Sequence, residues 1–244
     1  MKTVAIIQAR MGSTRLPGKV LLPIGDTNAL QMIVKKCKAS HSIDQVVVAT
    51  SENELDKVLQ IHCIENDIEF YVGPEDDVLK RVYRAAKCYN ADIVVDITAD
   101  CPLIDLSNLP TYLTHIKQGQ YDYVSNVIKR TFPDGLDLQV YTFKALERLE
   151  KGTNIPNNPF REHAGWNFTQ YTNLYRLFSI EAKKELKWAE LRITLDTKED
   201  YILIKKIVKE LGTQAKPLEI VNFLKKNPKL LDINSNVKTK QPGE

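Results

Sequence analysis

The chain has 244 residues, of which 43% are hydrophobic and 27% are charged, and its formal net charge is +3. The apolar fraction excludes a disordered chain, and 10 glycines and 11 prolines are too few for a collagen-like or low-complexity one. So small a net charge does not indicate nucleic acid as a partner. No apolar run approaches the ~20 residues of a membrane helix, and Gln8 and Arg10 interrupt the apolar start too early for a signal peptide. We therefore expect a cytoplasmic protein with no membrane partner.

The first half of the chain alternates between strand-like and helix-like segments. The strand-like segments are short apolar runs rich in β-branched residues, and the helix-like segments carry apolar residues at intervals of three and four. Such a rhythm is typical of a parallel sheet that is covered by helices on both sides. In chain order the sequence predicts a strand at 3–8, a helix at 28–40, a strand at 45–50, a helix at 53–65, a strand at 68–72, a helix at 76–88 and a strand at 92–97.

After residue 105 the rhythm loosens. We expect one mixed-sheet α/β domain over 1–232, with an inserted region near 120–180 that covers the site or forms a dimer contact. The last residues, 233–244, are expected to form a flexible tail. The later predicted elements are a helix at 107–118, strands at 121–127 and 136–142, a helix near 143–151, a polar loop at 152–158, a helix near 159–169, strands at 174–181 and 191–195, and helices near 198–211 and 216–226.

A loop rich in glycine and cations follows the first strand. Ligands of parallel sheets bind beyond the carboxyl ends of the strands, which is where this loop lies. Backbone N–H groups and cations together suit phosphate oxygens, so the loop predicts a polyphosphate ligand, and a basic surface loop is the alternative. Its spacing matches neither a Walker loop nor a dinucleotide fingerprint. The loop residues that suggest this function are Arg10, Gly12, Ser13, Thr14, Arg15, Gly18 and Lys19.

Two aspartates follow strand-like segments at distant points of the chain. Asp100 comes after the fourth strand, and Asp196 comes after LRITL. A carboxylate in such a place suits Mg²⁺, which takes few protein ligands and keeps phosphate and water for the rest. Each residue also has a local alternative: Asp100 as a turn or N-cap residue, and Asp196 as an N-cap with Glu199 completing a capping box. If both carboxylates converge on the phosphate loop, they would form a divalent-metal site.

Three blocks of the chain carry a family resemblance: IIQARMGSTRLPGKVLLPIG, VVDITADCPLID and RITLDTKEDYILI. They resemble the bacterial cytidylyltransferases that activate keto-acid sugars such as deoxy-octulosonate, and still more closely the spore coat polysaccharide biosynthesis protein F group. The stretches VGPEDDVLKRVYRAA, RTFPDGLDLQVYTFKALE and FREH extend the resemblance from residue 3 to about residue 211. It implies a Rossmann-like three-layer sandwich of the nucleotide-diphospho-sugar transferase type with a mixed, mostly parallel sheet. It also implies CTP and Mg²⁺ as ligands, release of pyrophosphate and a homodimer.

The resemblance also implies roles for individual residues. Arg10, Lys19, Asp100 and Asp196 would be catalytic, and the two aspartates would hold Mg²⁺. The other nucleotide-binding residues would be Ala9, Met11, Gly12, Ser13, Thr14, Arg15, Asp76, Asp77, Arg81, Thr98 and Ala99. The acceptor pocket would be shaped by Arg130, Asp134, Arg161, Glu162 and His163, although FREH is equally typical of a solvated helix face.

The second block departs from the keto-acid-sugar enzymes, because it reads ADCPLI where they typically read GDEPLI. Thr98 also stands where they commonly carry Gln. These differences leave the small-molecule acceptor open. We expect transfer of CMP from CTP to a sugar or sugar-like acceptor in surface polysaccharide or glycan biosynthesis. The alternatives are a nucleotidyltransferase with another NTP or a phosphorylated non-sugar acceptor, a glycosyltransferase, or a non-catalytic nucleotide-binding protein. The chain lacks the D-x-D motif that glycosyltransferases usually carry.

Overall fold

The central sheet is apolar on both faces, and this determines the layering of the molecule. In the first strand, Val4 and Ile6 pack into one buried cluster, whereas Ala5 and Ile7 pack into another. Successive side chains of a strand point to opposite faces, so both faces need a cover of helices. The computed structural model describes residues 1–153 and 159–238. It shows helices on both faces of the sheet, which confirms the predicted Rossmann-like three-layer α/β sandwich.

Most of the predicted strands and helices are present within a few residues of the expected bounds. The strands are β1 (Thr3–Gln8), β2 (Pro23–Ile24), β3 (Thr27–Asn28), β4 (Gln45–Ser51), β5 (Glu69–Gly73), β6 (Ile93–Thr98), β7 (Tyr123–Ser125), β8 (Gln139–Thr142) and β9 (Leu177–Ser179). The α-helices are α1 (Ala29–Lys38), α2 (Lys57–Glu65), α3 (Val78–Cys88), α4 (Leu109–Lys117), α5 (Phe143–Gly152), α6 (Asn167–Gln170), α7 (Lys198–Leu211) and α8 (Pro217–Lys226). Short 3-10 helices lie at Lys19–Leu21, Glu54–Asp56, Pro159–Glu162, Lys184–Leu186 and Pro228–Ile233.

The sheet is mixed and mostly parallel, as predicted. Its strand order is β5-β4-β1-β6-β8-β7-β9. β5, β4, β1 and β6 pair in parallel, and β8 runs antiparallel to both of its neighbours. β7 and β9 again pair in parallel, while β2 and β3 form a separate hairpin. β1 and β6 therefore end side by side, with Gln8 in register with Thr98.

Three buried clusters surround the sheet and its carboxyl edge. α1, α2 and α4 cover one face, and α3 and α5 cover the other. α7 and α8 form the third cluster with the extended segment 191–195. Within the residues described, no helix combines the length and apolarity needed to cross a bilayer.

Two predicted elements of the second half are wrong. The helix expected near 159–169 is interrupted between the 3-10 turn Pro159–Glu162 and the single turn of α6, and Gly165 lies in the gap. Gly165 packs closely against the end of the Gln139 side chain, which would have to move to make room for a Cβ. The segment 191–195 does not form the expected strand. It forms one isolated β-bridge, between Arg192 and Asp134.

The predicted flexible tail is wrong for its first six residues, 233–238. Ile233 closes a 3-10 helix, and Asn234 is only 6% exposed. The side-chain amide of Asn234 donates to buried acceptors, and these contacts hold the segment in place. Residues 239–244 lie outside the described residues, and so do residues 154–158 of the predicted polar loop.

Candidate active site

Asp100 and Asp196 converge on Lys19 although they are far apart in the chain. The Nζ atom of Lys19 lies 3.0 Å from Oδ2 of Asp100 and 2.6 Å from Oδ1 of Asp196. Because β1 and β6 are parallel neighbours, the loop that carries Lys19 and the turn that carries Asp100 leave the sheet at the same edge. The backbone N–H of Ala99 donates to the carbonyl oxygen of Gln8 and continues this pairing beyond the strands.

Asp196 reaches the same place through backbone contacts of the extended segment before it. The N–H of Leu195 donates to the carbonyl oxygen of Asp100 at 2.8 Å, and the hydroxyl of Thr194 donates to the same oxygen at 3.1 Å. Thr197 is the N-cap of α7, and Asp200 completes its capping box. The predicted alternative, in which Asp196 caps the helix with Glu199, is therefore wrong, and the Asp196 side chain faces Lys19 and two arginines.

Hydrogen bonds to Asp56 and within the backbone stabilise the loop between β1 and Lys19. The N–H of Met11 donates to Oδ1 of Asp56 at 2.6 Å, and the other oxygen of Asp56 accepts from Ser51. The N–H of Gly18 donates to the carbonyl oxygen of Met11. Gly18 has φ +70°, a left-handed conformation that glycine adopts without strain, and it starts the 3-10 turn that carries Lys19. Asp56 was not predicted, since its role depends on a contact between distant parts of the chain.

Charge pairing controls the protonation of these groups. Burial alone would lower the pKa of Lys19, but Asp100 and Asp196 outweigh it and the pKa is raised. Burial alone would raise the pKa of Asp196, but Lys19, Arg192 and Arg15 lower it to about 2. At neutral pH the amine of Lys19 and the carboxyl group of Asp196 are therefore both charged.

Two arginines complete the surroundings of Asp196. Arg15 of the phosphate loop lies 3.0 Å from Oδ2 of Asp196, and Arg192 lies 2.7 Å from the same oxygen. Arg192 is only 8% exposed and also binds Asp134 and Asp200. Sequence reasoning missed Arg192; its position four residues before Asp196 in the third family-like block was the available signal.

The remaining predicted nucleotide-binding residues divide into two groups. The loop and strand-end residues lie at the carboxyl edge of the sheet, as expected: Ala9, Arg10, Met11, Gly12, Ser13, Thr14, Thr98 and Ala99. The group near α3 is mostly engaged in local structure. Asp77 is the N-cap of α3, and the buried guanidinium of Arg81 donates to the carbonyl oxygens of Pro74 and Glu75. Burial and the nearby Arg10 lower the pKa of Arg81 to about 10. Asp76 is exposed.

The predicted acceptor residues also lie in different environments. Arg130 forms a two-bonded pair with Asp137, at 3.0 and 2.9 Å, and Asp134 binds Arg192. His163 lies within electrostatic reach of Asp100 and Arg10. Desolvation of its ring and the charge of Arg10 lower its pKa, while Glu162 and Asp100 oppose that shift. Glu162 is exposed beside it.

The segment that carries His163 is anchored on a buried carboxylate below the site. Asp96 is 1% exposed and accepts hydrogen bonds from Gln8, from the Tyr141 hydroxyl at 2.9 Å and from the backbone of Gly165. Burial raises the pKa of Asp96 to about 6 in spite of these bonds. The contact with Gly165 brings the chain that follows His163 down onto the sheet.

The predicted acceptor residue Arg161 is buried. Its side chain is 7% exposed and lies 2.9 Å from Asp77 and 3.3 Å from Glu150, so it joins α3 to α5. The sequence could not show this, because an arginine beside Glu162 and His163 has the same local pattern in either role. These contacts give Arg161 a structural role, and its role in acceptor binding stays a prediction.

We expect Arg161→Met to lower the free energy of unfolding by about 3 kcal/mol, because two carboxylates would lose their buried cation. Chemical denaturation measures this loss. Arg148→Met is the matched control on α5: its side chain is 58% exposed and its guanidinium lies 3.7 Å from Asp122, so the expected loss is below about 1 kcal/mol. Equal stability of both variants would contradict the assignment.

The donor set at the site fits Mg²⁺. Across residues 1–153 and 159–238, no group of three or more His, Cys, Asp or Glu side chains converges to form a complete metal cage. Two carboxylates that already share one cation are instead present at a cation-rich loop. Mg²⁺ commonly takes one or two carboxylates and completes its shell with phosphate oxygens and water. Two carboxylates beside a cation-rich loop are compatible with this mode of Mg²⁺ binding.

The sheet, the cation-rich loop at its carboxyl edge and the paired carboxylates together define a nucleotidyltransferase. The family model described as cytidylyltransferase matches residues 4–224. The chain belongs to the cytidylyltransferase family, which confirms the resemblance seen in its sequence blocks.

Similar proteins agree with this membership. The chain is 34% identical to a cytidylyltransferase from Leptospira borgpetersenii whose solved structure it matches with a TM-score of 0.87, covering 99% of this chain and 100% of that one. It is 32% identical to the spore coat polysaccharide biosynthesis protein SpsF of Bacillus subtilis, over 91% of this chain and 94% of the relative. The solved CMP:2-keto-3-deoxy-manno-octonic acid synthetase complexed with CTP shares the fold, with a TM-score of 0.61 and 16% identity over 86% of this chain and 99% of that one.

Proposed function

We propose that the protein transfers CMP from CTP to a sugar or sugar-like acceptor and releases pyrophosphate, in surface polysaccharide or glycan biosynthesis. The observation that carries the proposal is the convergence of Asp100 and Asp196 on Lys19 at the carboxyl edge of a cytidylyltransferase sheet. The name of the Bacillus subtilis relative supports the polysaccharide context. The synthetase with the same fold was solved with CTP, which supports the choice of nucleotide.

In this proposal the triphosphate lies along the loop between β1 and Lys19. Arg10, Arg15 and Lys19 provide three cations within ten residues, and they would neutralise the charge of the departing pyrophosphate. Transfer of a nucleotidyl group needs little covalent chemistry from the protein, so positioning and charge neutralisation supply most of the rate. Arg15 and Lys19 are suited to this because their contacts with Asp196 fix their cationic groups before the nucleotide binds.

Asp100 and Asp196 would hold Mg²⁺, which when bound would neutralise the α-phosphate and lower the pKa of the attacking oxygen. Lys19 pairs with both carboxylates, and Arg15 and Arg192 add two further cations beside Asp196. Arg192 would keep the Asp196 carboxylate in place throughout.

The acceptor would bind on the side of the site formed by Arg130, Asp134, Glu162 and His163. Asp137 restrains Arg130, and Arg192 restrains Asp134, so both side chains present fixed polar groups. His163 reaches over the same edge on the chain that Asp96 anchors. Such a polar set suits the hydroxyl groups of a sugar-like molecule.

We also propose that the protein acts in the cytoplasm as a homodimer. Each protomer would be a single domain over 1–232, with the region near 120–180 at the dimer contact. The membership of the cytidylyltransferase family supports this proposal. Light scattering on the purified chain gives the mass of the particle, and a monomer at working concentration would contradict the dimer.

The proposed function is tested by pyrophosphate release. The protein is incubated with Mg²⁺, each of the four NTPs in turn and a panel of sugars and sugar acids. We expect release with CTP together with one acceptor class, and release that is slowed about 10³-fold in Lys19→Ala. Release with another NTP would change the nucleotide, and binding of CTP without release over a broad panel would indicate a non-catalytic protein.

A further inference from the structure

The C-terminal segment 228–238 contacts the candidate active site at two points, although the family match ends at residue 224. One contact is made by the side chain of Asn234, and the other by the backbone carbonyl of Lys238. We propose that Asn234 is a positioning residue for Asp196 and that Lys238 orients Arg15, so that this segment forms part of the active site. The inference rests on the proposed function, which gives Asp196 its role in holding Mg²⁺ and Arg15 its role in binding the triphosphate.

The first contact fixes a buried pair of charged groups. The Asn234 amide is 6% exposed, and its Nδ2 atom donates to Oδ1 of Asp200 at 2.9 Å and to the carbonyl oxygen of Arg192 at 3.1 Å. Arg192 in turn donates to both oxygens of Asp200, at 3.1 and 3.0 Å. Asp200 is fully buried, so each of these donors replaces water that a carboxylate would otherwise bind.

The same pair determines where Asp196 lies. Arg192 donates to Oδ2 of Asp196 at 2.7 Å, and Oδ2 of Asp200 accepts from the backbone N–H groups of Asp196 and Thr197. The carboxylate and the backbone of Asp196 thus bind Arg192 and Asp200, and both of these residues accept hydrogen bonds from Asn234. Partners in such a second layer typically change metal affinity or activity by about 10–100-fold when they are removed.

The second contact acts on the phosphate loop. The guanidinium of Arg15 donates to the carbonyl oxygen of Lys238 at 3.1 Å and pairs with Asp196 at 3.0 Å. If Arg15 exchanges its contact with Asp196 for one with phosphate when CTP binds, its hydrogen bond to the carbonyl of Lys238 remains. Fixing such a side chain in advance lowers the entropy cost of binding.

The two contacts therefore predict different defects. Loss of the Asn234 amide should raise the Mg²⁺ concentration that CTP binding and turnover require. Loss of the Lys238 carbonyl should weaken CTP binding and leave the Mg²⁺ requirement unchanged.

The experiment compares Asn234→Ala with Asn236→Ala, the same change at an exposed position of the same segment. It also compares two shortened chains. The chain that ends at Asn236 lacks the Lys238 carbonyl, whereas the chain that ends at Lys240 retains it within a peptide bond. CTP affinity is measured by calorimetry over a series of Mg²⁺ concentrations, with turnover and thermal unfolding alongside. For Asn234→Ala we expect the half-saturating Mg²⁺ concentration to rise about tenfold, and for the chain ending at Asn236 we expect the Kd of CTP to rise about fivefold.

The proposal is overturned if Asn234→Ala and Asn236→Ala require the same Mg²⁺ concentration and the two shortened chains bind CTP equally. Where Asn234→Ala is unfolded, Asn234→Ser replaces it. If the wild-type protein neither binds CTP nor releases pyrophosphate, it is the proposed function that fails. Hydrogen exchange then tests the positioning alone: the amides of Asp196 and Thr197 should exchange faster in Asn234→Ala than in Asn236→Ala, and equal exchange overturns it.

Discussion

Asp100→Asn should lower kcat by about 10³-fold while the fold remains intact. The substitution keeps the shape of the side chain and removes its charge, so Lys19 keeps only one of its two carboxylate partners. The carboxylate lies where the triphosphate and the acceptor would meet, and charge in such a place acts mainly on the transition state. Steady-state rates of pyrophosphate release, together with circular dichroism and thermal unfolding, measure the two effects separately.

Asp26→Asn is the matched control for this prediction. Asp26 is exposed in the turn between β2 and β3. Its loss should leave both kcat and stability near the wild-type values, as is usual for surface positions. A kcat for Asp100→Asn within a factor of a few of that for Asp26→Asn would remove Asp100 from the catalytic group.

The parallel part of the fold was accessible from the sequence because each of its elements carries its own signal. The strands are β-branched runs, the helices have an apolar period, and β1, β4, β5 and β6 are separated by helices of ordinary length. From that arrangement alone, the loop after β1 and Asp100 after β6 had to share one edge of the sheet.

The errors lie where tertiary contacts overrule the local pattern. LRITL has the composition of a strand, yet the N–H of Leu195 and the hydroxyl of Thr194 bind the carbonyl oxygen of Asp100. In the residues described, its one bridge joins Arg192 to Asp134, which lies outside the strands of the sheet. FREH has the pattern of a helix face, yet Arg161 is buried against Asp77 and Glu150. Asn234 stands in a polar terminal stretch that predicts a frayed end, and its burial depends on Asp200 and Arg192. The partners Asp100 of LRITL, Asp77 of Arg161 and Asp200 of Asn234 all lie more than thirty positions away, beyond any sequence window.

Lys19→Ala should weaken CTP binding and slow turnover together, with a fall in kcat/KM of about 10³-fold. The Lys19 side chain is 12% exposed and contacts both carboxylates, whereas Arg15 and Arg192 pair with Asp196 and not with Asp100 among the contacts of the described residues. Its loss leaves Asp100 and Asp196 without their shared partner. We expect Lys19→Arg to recover only part of the activity, since a planar guanidinium does not reproduce the two short contacts of one nitrogen. Kinetics over a range of CTP concentrations separates the effects on KM and kcat.

Lys35→Ala, at an exposed position of α1, is the control for this variant. Stability supplies a second readout that does not depend on substrate. The folded pKa of Asp196, about 2, is below that of an unfolded aspartate, so its pairing stabilises the fold above about pH 4 and this contribution is lost as the pH falls toward 2. Lys19→Ala should therefore be less stable than Lys35→Ala at pH 7 without ligand, and the difference should narrow as the pH falls below 4. A variant with unchanged kinetics and unchanged stability would show that the contact between Lys19 and the two carboxylates does not exist in solution.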